Sequence, residues 1–426
     1  MLSSEQRSVP HARVVDEVPH GADARLRPRG SNQGGLRQFN ERVVLQAIRL
    51  HGSSAKAEIA RLTHLTPQTV QLIIPRLEAD DLVRKLAPVR GKVGQPSVPM
   101  ALNPDGAFSI GIVIGRRRMD MLLIDFVGQV RERLSLDYRF PDPDTLFDDI
   151  DARLRQLRRK LKPALRSRLQ GIGMAAPLSI GGWRELLDVE PEIAQRWEHV
   201  DLPERAAALS DAIGLPVELV KDTAAACVAE LVAGRGRSLR SFLYIFVDTF
   251  IGGGLVLDSH RFEGVHGNAG AVGSLPLGLR QGAERQPAQL LSVASLWQLE
   301  ARYAAAGLAT DAWHDARAFA KPWRAVTQAW LADAGDATAL AINSAVCLLD
   351  LDAVIVDGSF GRELLAALLQ AIAKALDLYS WEGVSRPQVL AGTVGSDARA
   401  IGGAMLPLHA AFAPDRELFL KGSKAR

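Results

Sequence analysis

One feature narrows the fold more than any other: a pair of hydrophobic β-type runs that occurs twice. "FSIGIVIG" (108–115) is followed almost at once by "MDMLLIDF" (119–126), with Gly128 as a turn after it, and "SFLYIFV" (241–247) by "GGGLVLD" (252–258), some 130 residues further along. Short runs rich in β-branched and aromatic residues, bounded by glycine, read as strands, and runs this close together read as hairpins. Between and after the pairs come "LQGIGMAA" (169–176), "VELVKD" (217–222), "LDAVIVDG" (351–358) and "PQVLAG" (387–392), alternating with helical segments such as "TAAACVAELVAG", which Gly234 ends. Strands interleaved with helices behind two hairpins predict two α/β halves facing one another across a cleft.

The first hundred residues follow another pattern. Residues 1–36 mix Pro10, Pro19, Pro28, four glycines and five arginines without apolar periodicity, so they are expected to form a disordered basic arm. From Asn40, Val43, Val44, Ala47 and Ile48 predict a helix closed by His51-Gly52. A second follows, capped by Ser54, with Ile59, Ala60 and Leu62 inward. In "THLTPQTVQLIIPRLEADDLV" (63–83), Thr66 is the N-cap of a third helix and Pro67 its first residue. Val70, Ile73, Ile74 and Leu77 form its apolar face, leaving Gln68, Thr69 and Gln71 toward solvent, where amides and hydroxyls suit phosphates and base edges. Pro75 removes the bond to the Gln71 carbonyl, so a kink or break is expected there.

"LVRKLAPVRGKVGQPSVPMAL" (82–102) alternates apolar and basic residues around a glycine-containing tip, as a two-stranded wing does. Arg84, Lys85, Arg90 and Lys92 are candidates for the DNA backbone and Gln95 for the minor groove. The bland counterpart is a three-helix packing or dimerisation module. Charge favours the first reading: residues 1–100 hold 15 Lys and Arg against 9 Asp and Glu, while the rest of the chain, of formal net charge +3 overall, is net acidic.

No apolar run reaches the roughly 18 residues needed to cross a bilayer and no secretory leader is evident, so a cytoplasmic protein is expected. The two cysteines, Cys227 and Cys347, each sit in an apolar run and read as buried free thiols.

Five landmarks stand in order along the second part of the chain: "GIGMAAP" (171–177), "VELVKDTAAACVAELVAG" (217–234), "DTFIGGG" (248–254), "RFEGVHGNAGAVGS" (261–274) and "GTVGSDARAIGGA" (392–404). Together they resemble the ROK family of bacterial sugar kinases and sugar-responsive repressors, from about residue 38 to the C-terminus. The resemblance implies a winged helix-turn-helix (α+β) at 37–104. An α/β actin-like (ribonuclease H-like), two-lobed ATPase-type domain follows at 105–426 and serves effector binding and oligomerisation.

The departures from the family pattern concern chemistry. The family's Asn-Asp pair, whose aspartate is the base toward the sugar hydroxyl, falls on Lys221 and Asp222. Its sugar-holding glutamate and histidine fall on Ala271 and Ser274, and a further glutamate near Leu291. The zinc-binding cysteine loop is replaced by "GLRQGAERQPAQLLSVAS" (278–295), without cysteine or histidine. In "VIGRRRMD" (113–120) arginines displace the first phosphate loop, and Asp248 and Phe250 stand where the kinases have glycines in the second. Neither metal nor cofactor is expected.

Lys221, Asp222, Asn268 and Gly270 are the candidate effector contacts. Asp222 reads equally as an aspartate paired with Lys221 or capping the following helix, and Asn268 as a turn residue. Trp183 and Trp197 read as packed aromatics or as sugar-stacking rings. Arg116, Arg117 and Arg118 read as a solvated hairpin tip, or as contacts to DNA or an anionic effector. The resemblance points to a DNA-binding repressor, a homodimer or larger homo-oligomer on an operator, governed by a small molecule such as a sugar. An active sugar kinase with an appended DNA-binding module and an effector-independent DNA-binding scaffold are the rivals.

Overall fold

The structure is a computed structural model that describes residues 33–88, 98–177, 180, 190–279 and 286–414. It opens with three helices, α1 (Gln33–His51), α2 (Lys56–Thr63) and α3 (Pro67–Ala79). Short strands β1 (Ser54–Ala55), β2 (Val83–Lys85) and β3 (Pro99–Leu102) form an antiparallel sheet in the order β1-β3-β2, with Val83 opposite Leu102 and Lys85 opposite Met100.

Several expectations are corrected here. Helix α1 begins at Gln33, so the helical chain starts inside the stretch read as arm; once the Val44–Ile48 turn is packed, each added residue propagates the helix at little cost. Ser54 does not cap α2. It is buried opposite Met100 in the sheet, and the cap position falls to Ala55, which makes no side-chain bond. Helix α3 runs unbroken through Pro75. The ring is exposed, so water can serve the carbonyl that lost its donor, while buried Val70, Ile73, Ile74 and Leu77 hold both halves of the helix in register. Thr66 caps α3 as expected, its hydroxyl accepting from the Thr69 N–H at 3.2 Å.

Two five-stranded mixed sheets follow. The first comprises β4 (Phe108–Ile114), β5 (Arg118–Asp125), β6 (Val130–Asp137), β7 (Leu169–Ala176) and β8 (Val217–Lys221), in the order β6-β5-β4-β7-β8. The second comprises β9 (Phe242–Val247), β10 (Gly252–Leu257), β11 (His260–Phe262), β12 (Ala353–Gly358) and β13 (Gln388–Ala391), in the order β11-β10-β9-β12-β13. In each, an antiparallel hairpin unit is extended by two parallel strands, which is the duplication legible in the sequence. Around the first sheet lie α4 (Pro143–Lys160), α5 (Pro191–Glu198) and α6 (Leu202–Ile213), and α7 (Asp222–Ala233) leads on toward the second. That lobe carries α8 (Leu290–Ala294), α9 (Leu296–Ala305), α10 (Arg324–Val346) and α11 (Arg362–Leu376), and α12 (Ala398–Phe412) returns to β4, β7 and α7.

The return of α12 depends on small residues. A Cβ on Gly402 would collide with the Ala225 carbonyl of α7, and one on Gly173 of β7 with the Gly403 carbonyl, so "AIGGA" lets a helix lie directly on backbone. The far end of α12 meets the N-terminal helices. Phe412 packs edge-on against Phe126 at 4.7 Å, and the Arg49 guanidinium of α1 covers the same Phe126 ring at 5.0 Å. Arg237 donates to the Leu50 carbonyl at 2.8 Å and Arg168 to Asp81 at 2.6 Å. One hydrophobic core therefore runs without interruption from Val44, Ile48 and Leu102 to Met405 and Leu408.

Cys227 is buried but Cys347 is exposed, against the sequence reading, because α10 ends at Val346 and the chain beyond it leaves the core. Among the described residues no helix is long and apolar enough to cross a membrane.

Candidate functional site

The centre between the lobes is made by four chain segments that arrive from different elements. Strand β8 ends at Lys221, and Asp222 opens α7, its Oδ1 accepting the Thr223 N–H at 2.8 Å. Its Oδ2 lies 3.5 Å from Arg399 Nη1 at the start of α12, and the same nitrogen lies 2.5 Å from Asp248 Oδ2 in the loop after β9. Burial works against the charge on Arg399, yet Asp248 and Asp222 overcome it and raise its pKa above the ordinary value. Asp222 is thus satisfied by Thr223 and Arg399, not by its neighbour Lys221.

Of the arginine run, Arg116 departs from the solvated tip, while Arg117 and Arg118 are exposed as expected. Arg116 is half-buried with its guanidinium 4.6 Å above the Phe250 ring, and desolvation lowers its pKa against the pull of Asp222 and Asp248. Arg117 reaches across to the second lobe and donates to both oxygens of Glu300 at 2.9 and 2.7 Å, while Trp313 holds Glu300 at 3.0 Å. Arg117 and Arg118 both remain exposed, Arg118 lying 3.1 Å from Asp120. The places that the resemblance assigns to phosphate loops are therefore filled by side chains of this protein. Arg116 stacks on the Phe that replaces one glycine, and the Asp that replaces the other is bound to Arg399.

Beside this centre lies a cavity of about 550 Å3 at the C-terminal ends of β7 and β8. Ala176, Pro177, Lys221 and Ala224 form one wall, Arg261, His266 and Gly267 another, and the α5–α6 junction at 198–203 a third. Of the four candidate effector residues, Lys221 lines the cavity. Burial lowers its pKa, Asp222 opposing. Asp222 faces Arg399, and Asn268 is exposed next to Gly267. Gly270 has φ +76° and packs so close that a Cβ would lie 2.6 Å from the Gly254 carbonyl carbon, which gives this glycine a packing role. Ala271 precedes the short 3-10 turn Val272–Ser274, of which Ser274 is the last residue, and Leu291 is buried in the second lobe's core. Trp197 is a packed aromatic donating to the Pro141 carbonyl at 2.8 Å; Trp183 lies outside the described residues. Among the described residues no cluster of three or more His, Cys, Asp or Glu is placed to hold a metal ion.

Reasoning from the sequence missed Arg399 although "GTVGSDARAIGGA" contains it. The available signal was a cation amid Gly and Ala, which a buried position tolerates only when it is paired.

At the other end of the molecule, Gln68 and Gln71 are exposed on α3, with Thr69 half-buried between them and Thr66 at the cap. Arg84 and Lys85 are exposed on β2, Lys85 standing 2.9 Å from Glu78. Arg90, Lys92 and Gln95 lie outside the described residues.

Known proteins resemble this chain in sequence and in fold. An uncharacterized protein of Sinorhizobium fredii, y4fQ, is 24% identical over 88% of this chain and 92% of its own length. The xylose repressor of Bacillus subtilis is 22% identical over 58% of this chain and 62% of the repressor, so under two thirds of that relative is spanned. A solved ROK family transcriptional regulator, a homologue of the E. coli MLC protein, shares the fold with a TM-score of 0.65 at 20% identity, covering 90% of this chain and 99% of that one. The ROK family pattern matches residues 109–410, well over half of the sequence, and the chain belongs to the ROK family.

Proposed function

We propose that the protein is a DNA-binding transcriptional repressor whose two-lobed domain senses a small molecule without phosphorylating it. The observation that carries the second half is the Arg399 bridge. Phosphoryl transfer needs a free base, an oriented hydroxyl and a cradle for phosphates at the same time, whereas here the base position is ion-paired and the cradle is filled by Arg116, Phe250 and Asp248. The first half is supported by three helices and a small sheet at residues 33–102, which we read as a winged helix. The polar start of α3 and the basic β2 then face a duplex. Relatives that carry the name repressor point the same way.

Helix α12 is the element suited to connect the two halves. It starts at the Arg399 bridge and ends at Phe412 beside α1, about 20 Å away at 1.5 Å per residue. A ligand that alters the lobes shifts this rod, and with it the spacing of paired DNA-reading modules in a dimer; a coupling of roughly 1–3 kcal/mol suffices. The test is fluorescence anisotropy with genomic fragments selected by the protein, run beside an ADP-release assay with ATP and a hexose panel. Sequence-selective binding without turnover supports the reading. The rival, an active kinase with a DNA-binding appendage, rests on Asp222 occupying the base position, and turnover above background establishes it.

A further inference from the structure

We propose that the molecule sensed in the cleft is a monosaccharide bearing an anionic group, a sugar acid or a sugar phosphate, and that Lys221 receives its charge. The proposal rests on the reading above that this domain binds a small effector.

Lys221 sits where β8 ends and its side chain lines the 550 Å3 cavity. Open α/β sheets seat ligands outside the carboxyl ends of their parallel strands, and roughly 300–1,000 Å3 is the usual size of a small-molecule site. Lys221 is half-buried, and burial depresses its pKa against the pull of Asp222, while no hydrogen bond or ion pair holds its ammonium among the described residues. A partly desolvated cation that no carboxylate contacts directly costs free energy that an incoming anion offsets.

The carboxylates nearby do not fill that role. Asp222, next in the chain, gives one oxygen to Thr223 and the other to Arg399. Glu263 accepts from Arg261, and Asp201 caps α6 through the Glu204 N–H at 3.0 Å. Glu198 is exposed at the rim. Among the described residues Lys221 is therefore a cavity-lining cation with no hydrogen bond or ion pair, and a neutral sugar would leave it so. The sequence agrees: where the resemblance places a sugar-holding glutamate, the chain has Ala271, which removes a carboxylate that would repel an acid.

The test is calorimetry on the full chain with D-glucuronate, D-galacturonate, D-gluconate and D-glucose 6-phosphate, against neutral D-glucose, D-galactose and D-xylose. At least one anionic sugar is expected to bind about tenfold or more tightly than its neutral parent, as one charge-assisted hydrogen bond implies. Lys221→Met, which keeps the apolar stem, is expected to erase that preference, and Lys221→Arg to keep it. The uronates and the 6-phosphate separate the two sources of charge. Equal binding of a neutral parent, survival of the preference in Lys221→Met, or no binding by any anionic sugar overturns the proposal. Operator affinity measured on the same preparation shows whether the regulator reading falls with it.

Discussion

The Arg399 guanidinium lies 2.5 Å from the Asp248 carboxylate, tying the first turn of α12 to the loop that follows β9 in the other lobe. The same group touches Asp222 at 3.5 Å, so one cation joins the two positions that the resemblance assigns to a kinase's base and phosphate loop. Removing it leaves two largely buried carboxylates with only the weaker attraction of Arg116. Arg399→Met is predicted to lower the unfolding free energy by roughly 3–5 kcal/mol, read by urea denaturation, and Arg399→Met with Asp248→Asn to recover part of that loss. Unchanged stability in the single variant contradicts the bridge.

The contact between α12 and α1 gives a separate prediction about signalling. Phe412→Ala removes the half-buried ring that meets Phe126 while leaving α3 and the cavity untouched. Operator affinity in the absence of effector is expected to stay within about threefold of the parent, and the change on adding effector to shrink by about tenfold, in keeping with a coupling of 1–3 kcal/mol. Anisotropy titrations with and without the ligand found by calorimetry read both values.

On the proposed DNA face, base reading and phosphate contact separate experimentally. Gln68→Ala and Gln71→Ala are predicted to relax base preference at individual operator positions by about 1–3 kcal/mol. Arg84→Ala is predicted to weaken binding to every sequence and to reduce the salt slope by about one. Operator and random duplex, titrated across a salt series, distinguish the two patterns.

The two thiols also differ in a way that reports on the fold. Burial raises the pKa of Cys227 well above the ordinary thiol value, and Cys347 is exposed. A disulfide reagent such as Ellman's is predicted to titrate one thiol per native chain rapidly and the second only on unfolding; Cys347→Ser is predicted to remove the fast phase alone.

What could be read without a structure followed from local chemistry. The hairpins at 108–126 and 241–258 announced themselves because apolar runs and flanking glycines are local signals, and the Thr66–Pro67 start of α3 because a cap and a first-turn proline need no tertiary partner. What escaped depended on neighbours distant in sequence. Arg116 and Arg117 look like free surface charges until Phe250 and Glu300, more than 130 residues away, are placed against them. Pro75 looks like a break until its ring proves to face solvent. Ser54 looks like a cap until β3 claims its backbone. Arg399 is silent in sequence because its partners, Asp222 and Asp248, come from two other segments.

The central claim is that this ROK chain acts on DNA and not on sugar hydroxyls. The most direct measurement is the affinity of the full chain for a genomic fragment it selects, set against a random duplex of equal length at physiological salt. The account predicts at least about a thousandfold preference for the selected fragment; equal affinity for the two duplexes contradicts it.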